Sequence, residues 1–199
     1  MQRRATGNAP TKGARCNPGE QPHLPGMGGG RGGRKPRVLD FLGILQTFLE
    51  HGVEFVVVGG LGATLHGANY NTKDVDVLHR RTPENVERVM AALHELKAVY
   101  RLDSRYLSPG REGLLGLGSH NLWTLKGDLD MLGKIAPGMT YDLVADDAVP
   151  MEIKGMSLRV LPLELIILSK KAVSRDKDIA VLPILRATVV EIRKRCRPR

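Results

Sequence analysis

Apolar positions follow two rhythms along the chain. Val38, Phe41, Leu42, Leu45, Phe48 and Leu49 recur at helical spacing, and His51-Gly52 ends the helix they predict. Residues 53–58 form a short β-branched run that reads as a buried strand, broken by Gly59-Gly60 and followed by a short helix over 61–66. A second strand is expected over 74–78. Pro83, with Thr82 as cap and Glu84 in the first turn, opens a helix to about Lys97 that carries Val86, Val89, Met90 and Leu93 on one face. Residues 98–118 are Gly-rich and read as an irregular loop or weak strands. Two strand pairs follow, 120–125 with 128–132 around Lys126-Gly127, and 150–153 with 157–161 around Lys154-Gly155. Helices over 162–173 and 176–195 close the chain. Early alternation of strands and helices, followed by local strand pairing, predicts an α/β domain: a mixed β-sheet flanked by helices, with a C-terminal helical pair.

Composition changes this picture at the ends. Residues 1–36 are rich in Gly, Pro, Arg and Asn, and bury too little apolar area to offset their ordering entropy, so disorder is expected there. They lack the apolar centre of a signal peptide, and their Gly and Pro content argues against an amphipathic transit helix. The core is then expected over 37–161, and a helical segment with a basic end over 162–199. The net charge of +9 sits at the two ends: residues 1–37 carry eight Lys or Arg against one acid, and 193–199 carry five basic groups and no acid. Residues 38–192, with 17 basic and 20 acidic groups, are mildly acidic. A basic end can hold RNA by non-specific attraction, although a solvated tail is the simpler account. Cys16 and Cys196 lie in the flanks with no zinc-ligand spacing, which fits a reducing compartment. No apolar run approaches the roughly 20 residues of a membrane helix, so a cytoplasmic protein with no membrane partner is expected.

The chemistry concentrates in three places. Asp74 and Asp76 flank Val75, and on a strand they face the same side about 6.5–7 Å apart while Val75 and Val77 face the core. Asp130 repeats the pattern between Leu129 and Met131, with Asp128 as a competitor for the same role. Carboxylates that converge repel one another, and a hard divalent cation such as Mg²⁺, or Mn²⁺, relieves that repulsion. A triad can hold two metals about 3.5–4 Å apart, one activating a hydroxyl and one stabilising a leaving pyrophosphate. Gly59-Gly60, between a strand and a helix N-terminus, offers backbone N–H groups to phosphate without a Cβ in the way. Thr64 and Thr72 add hydroxyl donors beside that turn, and Lys73 is a further candidate nucleotide-binding group.

Together these residues resemble the nucleotidyltransferase superfamily, the fold of DNA polymerase β and kanamycin nucleotidyltransferase. Its pattern of hydrophobic-Gly-Gly/Ser, a gap, Asp-h-Asp-h and a later h-Asp-h is matched in order by Val58-Gly59-Gly60, Asp74-Val75-Asp76-Val77 and Leu129-Asp130-Met131. The stretch VGGLGATLHGANYNTKDVDV is similar to small bacterial nucleotidyltransferases of the AbiEii-type group, which includes toxins of toxin–antitoxin pairs. Ile166–Ala172 followed by Arg175-Asp176-Lys177-Asp178 resembles the C-terminal segment of that group. The resemblance implies a nucleotidyltransferase-like fold and transfer of a nucleoside monophosphate from an NTP to an RNA end, a protein hydroxyl or a small molecule, with an antitoxin protein as a conceivable partner. It implies that Asp74 and Asp76 are metal ligands, and that Asp130 is a third ligand that positions or deprotonates the acceptor. Gly59 and Gly60 become the triphosphate turn, and Lys170 the helix lysine that reaches the phosphates. The chain departs from the group at Tyr70, where relatives often have Arg, at Val181, where they have a second Asp, and at Gly60, where many have Ser.

Two rival readings stand beside the enzyme. One is a catalytically degenerate module that binds nucleotide or RNA, and the other is a basic-tailed RNA-binding protein with structural carboxylates. Among the remaining residues, His66 and His79 are expected to be hydrogen-bonded structural histidines, and Trp123 to pack in the core. No GK[ST] phosphate loop, HExxH or GxSxG occurs.

Overall fold

Residues 39–195 are described by the computed structural model; the Gly-rich tail, Cys16 and Cys196 lie outside the described residues. Helix α1 (Phe41–Glu50) starts at Asp40, whose carboxylate accepts from the Gly43 N–H, and turns Ile44, Leu45 and Phe48 inward. Strand β1 (Phe55–Val57) leads into α2 (Gly59–Leu65), then β2 (Asp74–His79). Thr82 caps α3 (Pro83–Glu95) by accepting from Asn85, as its position before Pro83 predicts. The Gly-rich stretch resolves into a two-residue strand, β3 (Val99–Tyr100), and a short helix, α4 (Arg111–Leu115). Next come β4 (Ser119–Thr124), β5 (Gly127–Leu132) and α5 (Tyr141–Val144), a helix of one turn whose length leaves no periodicity to read. The hairpin β6 (Val149–Ile153) and β7 (Met156–Val160) precedes α6 (Leu163–Val173) and α7 (Asp176–Arg195).

The seven strands form one mixed sheet in the order β3-β4-β5-β2-β1-β7-β6. At its centre β2 runs antiparallel to β1 and parallel to β5, and β7 joins β1 in parallel. Alternation along the strands divides the core into two layers. Phe55, Val57, Val75, Val77, Leu129 and Met131 face α1 and α3. Val56, Val58 and Leu78 face the other way, onto Tyr141 of α5 and Ile166, Val181 and Leu185 of the C-terminal helices. Asp74, Asp76, Asp128 and Asp130 fall on this second face, beyond the end of its apolar patch. Val75, Val77, Leu129 and Met131 are each fully buried. At about 1.5–3 kcal/mol per side chain, that burial anchors both strands against the repulsion of the acids between them.

Two buried histidines fasten α4 to the sheet. The Nε2 of His79, on β2, meets the Leu114 carbonyl at 2.9 Å, and the Nε2 of His120, on β4, meets the Gly113 carbonyl at 3.1 Å. The Tyr100 hydroxyl lies 2.7 Å from the His120 Nδ1, which accepts its proton in the neutral tautomer. Burial pushes both histidines below the usual imidazole value of 6.5. His66 is likewise hydrogen-bonded, to the Leu161 carbonyl at 2.8 Å. Because the folded state keeps His79 and His120 neutral while the unfolded chain protonates near 6.5, stability should fall as pH drops below that value. Denaturant unfolding at pH 7.5 and 5.5 should show a smaller loss in a His79→Gln, His120→Gln variant than in the unaltered protein. An equal loss in both would remove the histidines from the account.

Candidate active site

The register of β2 against β5 builds the site. Asp76 pairs with Asp130 and Asp74 with Asp128, so four carboxylates share one face of two adjacent parallel strands. Asp74, Asp76 and Asp130 each offer an oxygen within 4.8 Å of the others. Asp128 stays outside that group, ion-paired to Arg101 at 3.2 Å. Of the two acids of β5, Asp130 is the one that lies with Asp74 and Asp76. The donor set is all carboxylate oxygen, which suits a hard divalent cation. Asp76 lies deepest: burial, reinforced by the Asp74 charge, raises its pKa from 3.8 to about 6. The site therefore stores an ionisation cost that a bound cation would remove.

Gly59 and Gly60 close over Asp76. They form the first residues of α2 rather than a break before it, and the Gly60 N–H donates to the Asp76 carboxylate at 3.3 Å. Gly59 has φ +60°, and a Cβ there would run into Asp76 itself. A Cβ at Gly60 would meet Thr72 Oγ1 and the Tyr70 ring at 2.7 Å, so a side chain there would have to displace them. Thr72 Oγ1 lies 3.0 Å from the Asp74 carbonyl and 3.1 Å from its carboxylate, so it orients Asp74. The Thr64 hydroxyl is spent on the Gly60 and Tyr70 carbonyls and does not serve as a phosphate donor. Lys73, in the bend before β2, is exposed and absent from the cleft wall.

The opposite wall comes from the α6–α7 elbow, where Ser174 takes a left-handed conformation at φ 54°. Lys170 lines the cleft and donates to Asp178 at 2.9 Å, and Arg175 donates to the other Asp178 oxygen at 2.6 Å. Burial pushes the Asp178 carboxyl up, but the Arg175 and Lys170 hydrogen bonds outweigh it and hold it below its usual value. The Lys170 ammonium also stands 6.0 Å from the Tyr70 ring centre. Tyr70 thus sets an aromatic ring, not a charge, beside Lys170. Val181 is buried among the C-terminal apolar side chains, a position where a second Asp would lie in the core. Lys177 lines the cleft as well and acts on Asp76 through its charge.

On the β4 side Ser119 and Asn121 line the cleft, and the contacts that hold Asp130 there were not legible in the sequence. Arg101, beyond the short β3, forks between Asp128 and Asp130, and Asn121 on β4 donates to the other Asp130 oxygen at 2.9 Å. Trp123 sits on this same face beside Asp128, half-buried, rather than in the core with Leu122 and Thr124. The walls enclose a cleft of about 330 Å³, within the range of small-ligand sites.

Two outcomes follow from this geometry. Gly59→Ala should cost about 1–3 kcal/mol in chemical unfolding, through its left-handed backbone and the displaced Asp76; wild-type stability would refute the close approach. Asp76 keeps its proton up to about pH 6 in the folded protein and loses it near 3.8 when unfolded, so its contribution is present below 3.8 and lost as pH rises through 6. In metal-free buffer, Asp76→Asn should therefore gain stability relative to the parent between pH 4 and 7, and a pH-independent difference would contradict the burial of this carboxylate.

Comparison with known proteins agrees with the geometry. Residues 40–178 match the family described as Aminoglycoside-2''-adenylyltransferase. A search of curated proteins returns no match. Among solved structures, the lincosamide antibiotic adenylyltransferase LnuA with bound lincomycin superposes with a TM-score of 0.53 at 14% identity, covering 76% of this chain and 99% of that one. A putative nucleotidyltransferase from Thermotoga maritima gives 0.48 at 16% identity over 72% and 91% of the two chains. The antibiotic-resistance factor ANT(2'')-Ia gives 0.48 at 14% identity over 78% and 90%. Neither the family model nor LnuA is described as AbiEii-type or as a toxin, so the expected subgroup gains no support from them. No helix among the described residues is long and apolar enough to cross a membrane. With the family matched across most of the chain and the fold in agreement, the protein belongs to the aminoglycoside-2''-adenylyltransferase family of NTP-dependent nucleotidyltransferases.

Proposed function

We propose that this enzyme transfers an adenylyl group from ATP to a hydroxyl of a small molecule, using Mg²⁺ held by Asp74, Asp76 and Asp130. The observation that carries the reading is the convergence of these three carboxylates under the Gly59-Gly60 turn. Mg²⁺ bound there would supply charge neutralisation for the triphosphate and acidity for the hydroxyl. The remaining work falls to this chain's own groups. The amide groups of the α2 N-terminus, Lys177 and the Lys170–Arg175 pair face the triphosphate and orient it. Asp130, fixed by Asn121 and Arg101, takes the proton from the acceptor hydroxyl. The acceptor oxygen bonds to the α-phosphorus, the bond from that phosphorus to the α–β bridging oxygen breaks, and pyrophosphate leaves with the electron pair. Preorganised charge in a half-enclosed cleft does most of the catalysis. A small-molecule acceptor is supported by the family match and by the antibiotic adenylyltransferase that shares the fold. A cleft of about 330 Å³ fits such a substrate better than a folded RNA.

The test is pyrophosphate release from each of the four NTPs with Mg²⁺ or Mn²⁺, across lincosamide, aminoglycoside, sugar and RNA acceptors. Release should require ATP and a small hydroxyl compound, and should fall at least about 10³-fold in Asp74→Ala, Asp76→Ala. Turnover that survives the double substitution would refute the assigned site, and transfer confined to RNA would refute the acceptor class.

A further inference from the structure

The row of carboxylates divides the cleft into two unlike flanks. On one side stand the glycine turn, Lys170, Arg175 and Lys177, whose amide and cationic groups suit a triphosphate. On the other, the antiparallel pairing of β4 with β5 sets Asn121 opposite Asp130 and Ser119 opposite Leu132. All four line the cleft, because strand alternation turns them to one face and buries His120, Leu122, Leu129 and Met131 on the other. Directly opposed side chains stand about 4.5–5.5 Å apart at Cβ, so each pair acts as one patch. With the first flank taken by the nucleotide, this two-strand platform is the wall left for the acceptor.

The Asn121 amide is oriented by its partner. Arg101 donates to one Asp130 oxygen, and Asn121 Nδ2 donates to the other at 2.9 Å. An ionised carboxylate only accepts, so the amide nitrogen must face it. The amide plane is thereby fixed, and its oxygen is left over. Asn121 Oδ1 makes no hydrogen bond among the described residues, and the side chain is exposed to the cleft. Each Asp130 oxygen keeps a second lone pair, so an acceptor hydroxyl can still donate to it. The platform thus presents two acceptor atoms side by side, a carboxylate oxygen and an amide oxygen. Donors on adjacent carbons of one ring match that pair. A lone hydroxyl would bond Asp130 and leave Oδ1 without a partner once water is displaced.

We propose that Asn121 is a specificity-determining residue for the acceptor: its nitrogen holds Asp130, and its oxygen accepts a hydrogen bond from a hydroxyl or ammonium group on the carbon next to the reacting hydroxyl. The inference rests on the transfer reaction proposed above for this cleft. The acceptor class it names is a saturated ring with neighbouring donors, a class that includes aminoglycosides. An ammonium neighbour gains most, because its hydrogen bond is charge-assisted. Ser119 and Leu132, one pair further along the strands, set a hydroxyl and an apolar patch under the rest of the ring.

Calorimetric binding reads the proposal without turnover, and so separates it from failure of the transfer reaction. The probes are kanamycin A and its 3''-deamino analogue, which lacks the amine beside the 2''-hydroxyl. Each is titrated into the full-length protein carrying Mg²⁺ and a non-hydrolysable ATP analogue. The unaltered protein should bind kanamycin A at least about tenfold more tightly than the analogue. In Asn121→Ala that preference should shrink at least about fivefold, while affinity for the ATP analogue stays within about twofold. The preference is a ratio taken within one protein, so a general loosening of Asp130 cancels from it. Asn121→Ser gives the same reading should the Ala variant fail to fold. Equal binding of the two probes by the unaltered protein would overturn the proposal, and so would a preference undiminished in the variants. Binding of neither probe would also overturn it, and pyrophosphate release onto another small acceptor would then leave the transfer reaction standing.

Discussion

Repulsion among carboxylates crowded on one sheet face is the constraint around which this molecule is arranged. The register of β2 against β5 brings Asp76 level with Asp130, and strand alternation forces Asp74 and Asp128 onto the same side. Each neighbouring group answers that crowding. Arg101 draws off Asp128 and one edge of Asp130, Gly60 donates to Asp76, and Thr72 leans on Asp74. What is left is a deep carboxylate whose pKa stands near 6. The apolar residues between the acids hold the strands together against that repulsion.

The C-terminal helices belong to the same device. Leu163, Ile166, Val181 and Leu185 pack on the sheet face that carries the acids, so the elbow between α6 and α7 is pressed over the end of the acid row. Asp178 then fixes the two cations of the elbow from below, at 3% side-chain exposure. A buried charge so paired contributes position more than stability. It keeps Lys170 and Arg175 in one place at the edge of the cleft.

Much of this was legible in the chain because its signals are local. The alternation Asp-Val-Asp-Val fixes a strand with two outward acids, and Thr82-Pro83 starts α3 where it must. Gly59 also announces itself, since only a residue without Cβ fits over Asp76. Groups brought in from distant sequence left no such trace. Arg101 reaches Asp128 and Asp130 only because β3 pairs with β4, a two-residue strand in a Gly-rich stretch. Trp123 read as core because its size favours burial, yet its register opposite Asp128 places it on the site face. Lys73 read as a nucleotide group from its neighbours in sequence, and the bend before β2 leaves it exposed. The acid pair of β5 could not be ranked without knowing which residue Arg101 would occupy.

The proposed metal site of Asp74, Asp76 and Asp130, with the Asp76 pKa raised to about 6, is open to one direct measurement. Titration of Mn²⁺ at pH 6 in buffers of different ionisation enthalpy measures both the affinity and the protons released. The account predicts saturable binding with release of a fraction of a proton from Asp76, and at least tenfold weaker binding without that release in Asp76→Asn. Binding that is absent, or that is indifferent to the substitution and to pH, would contradict it.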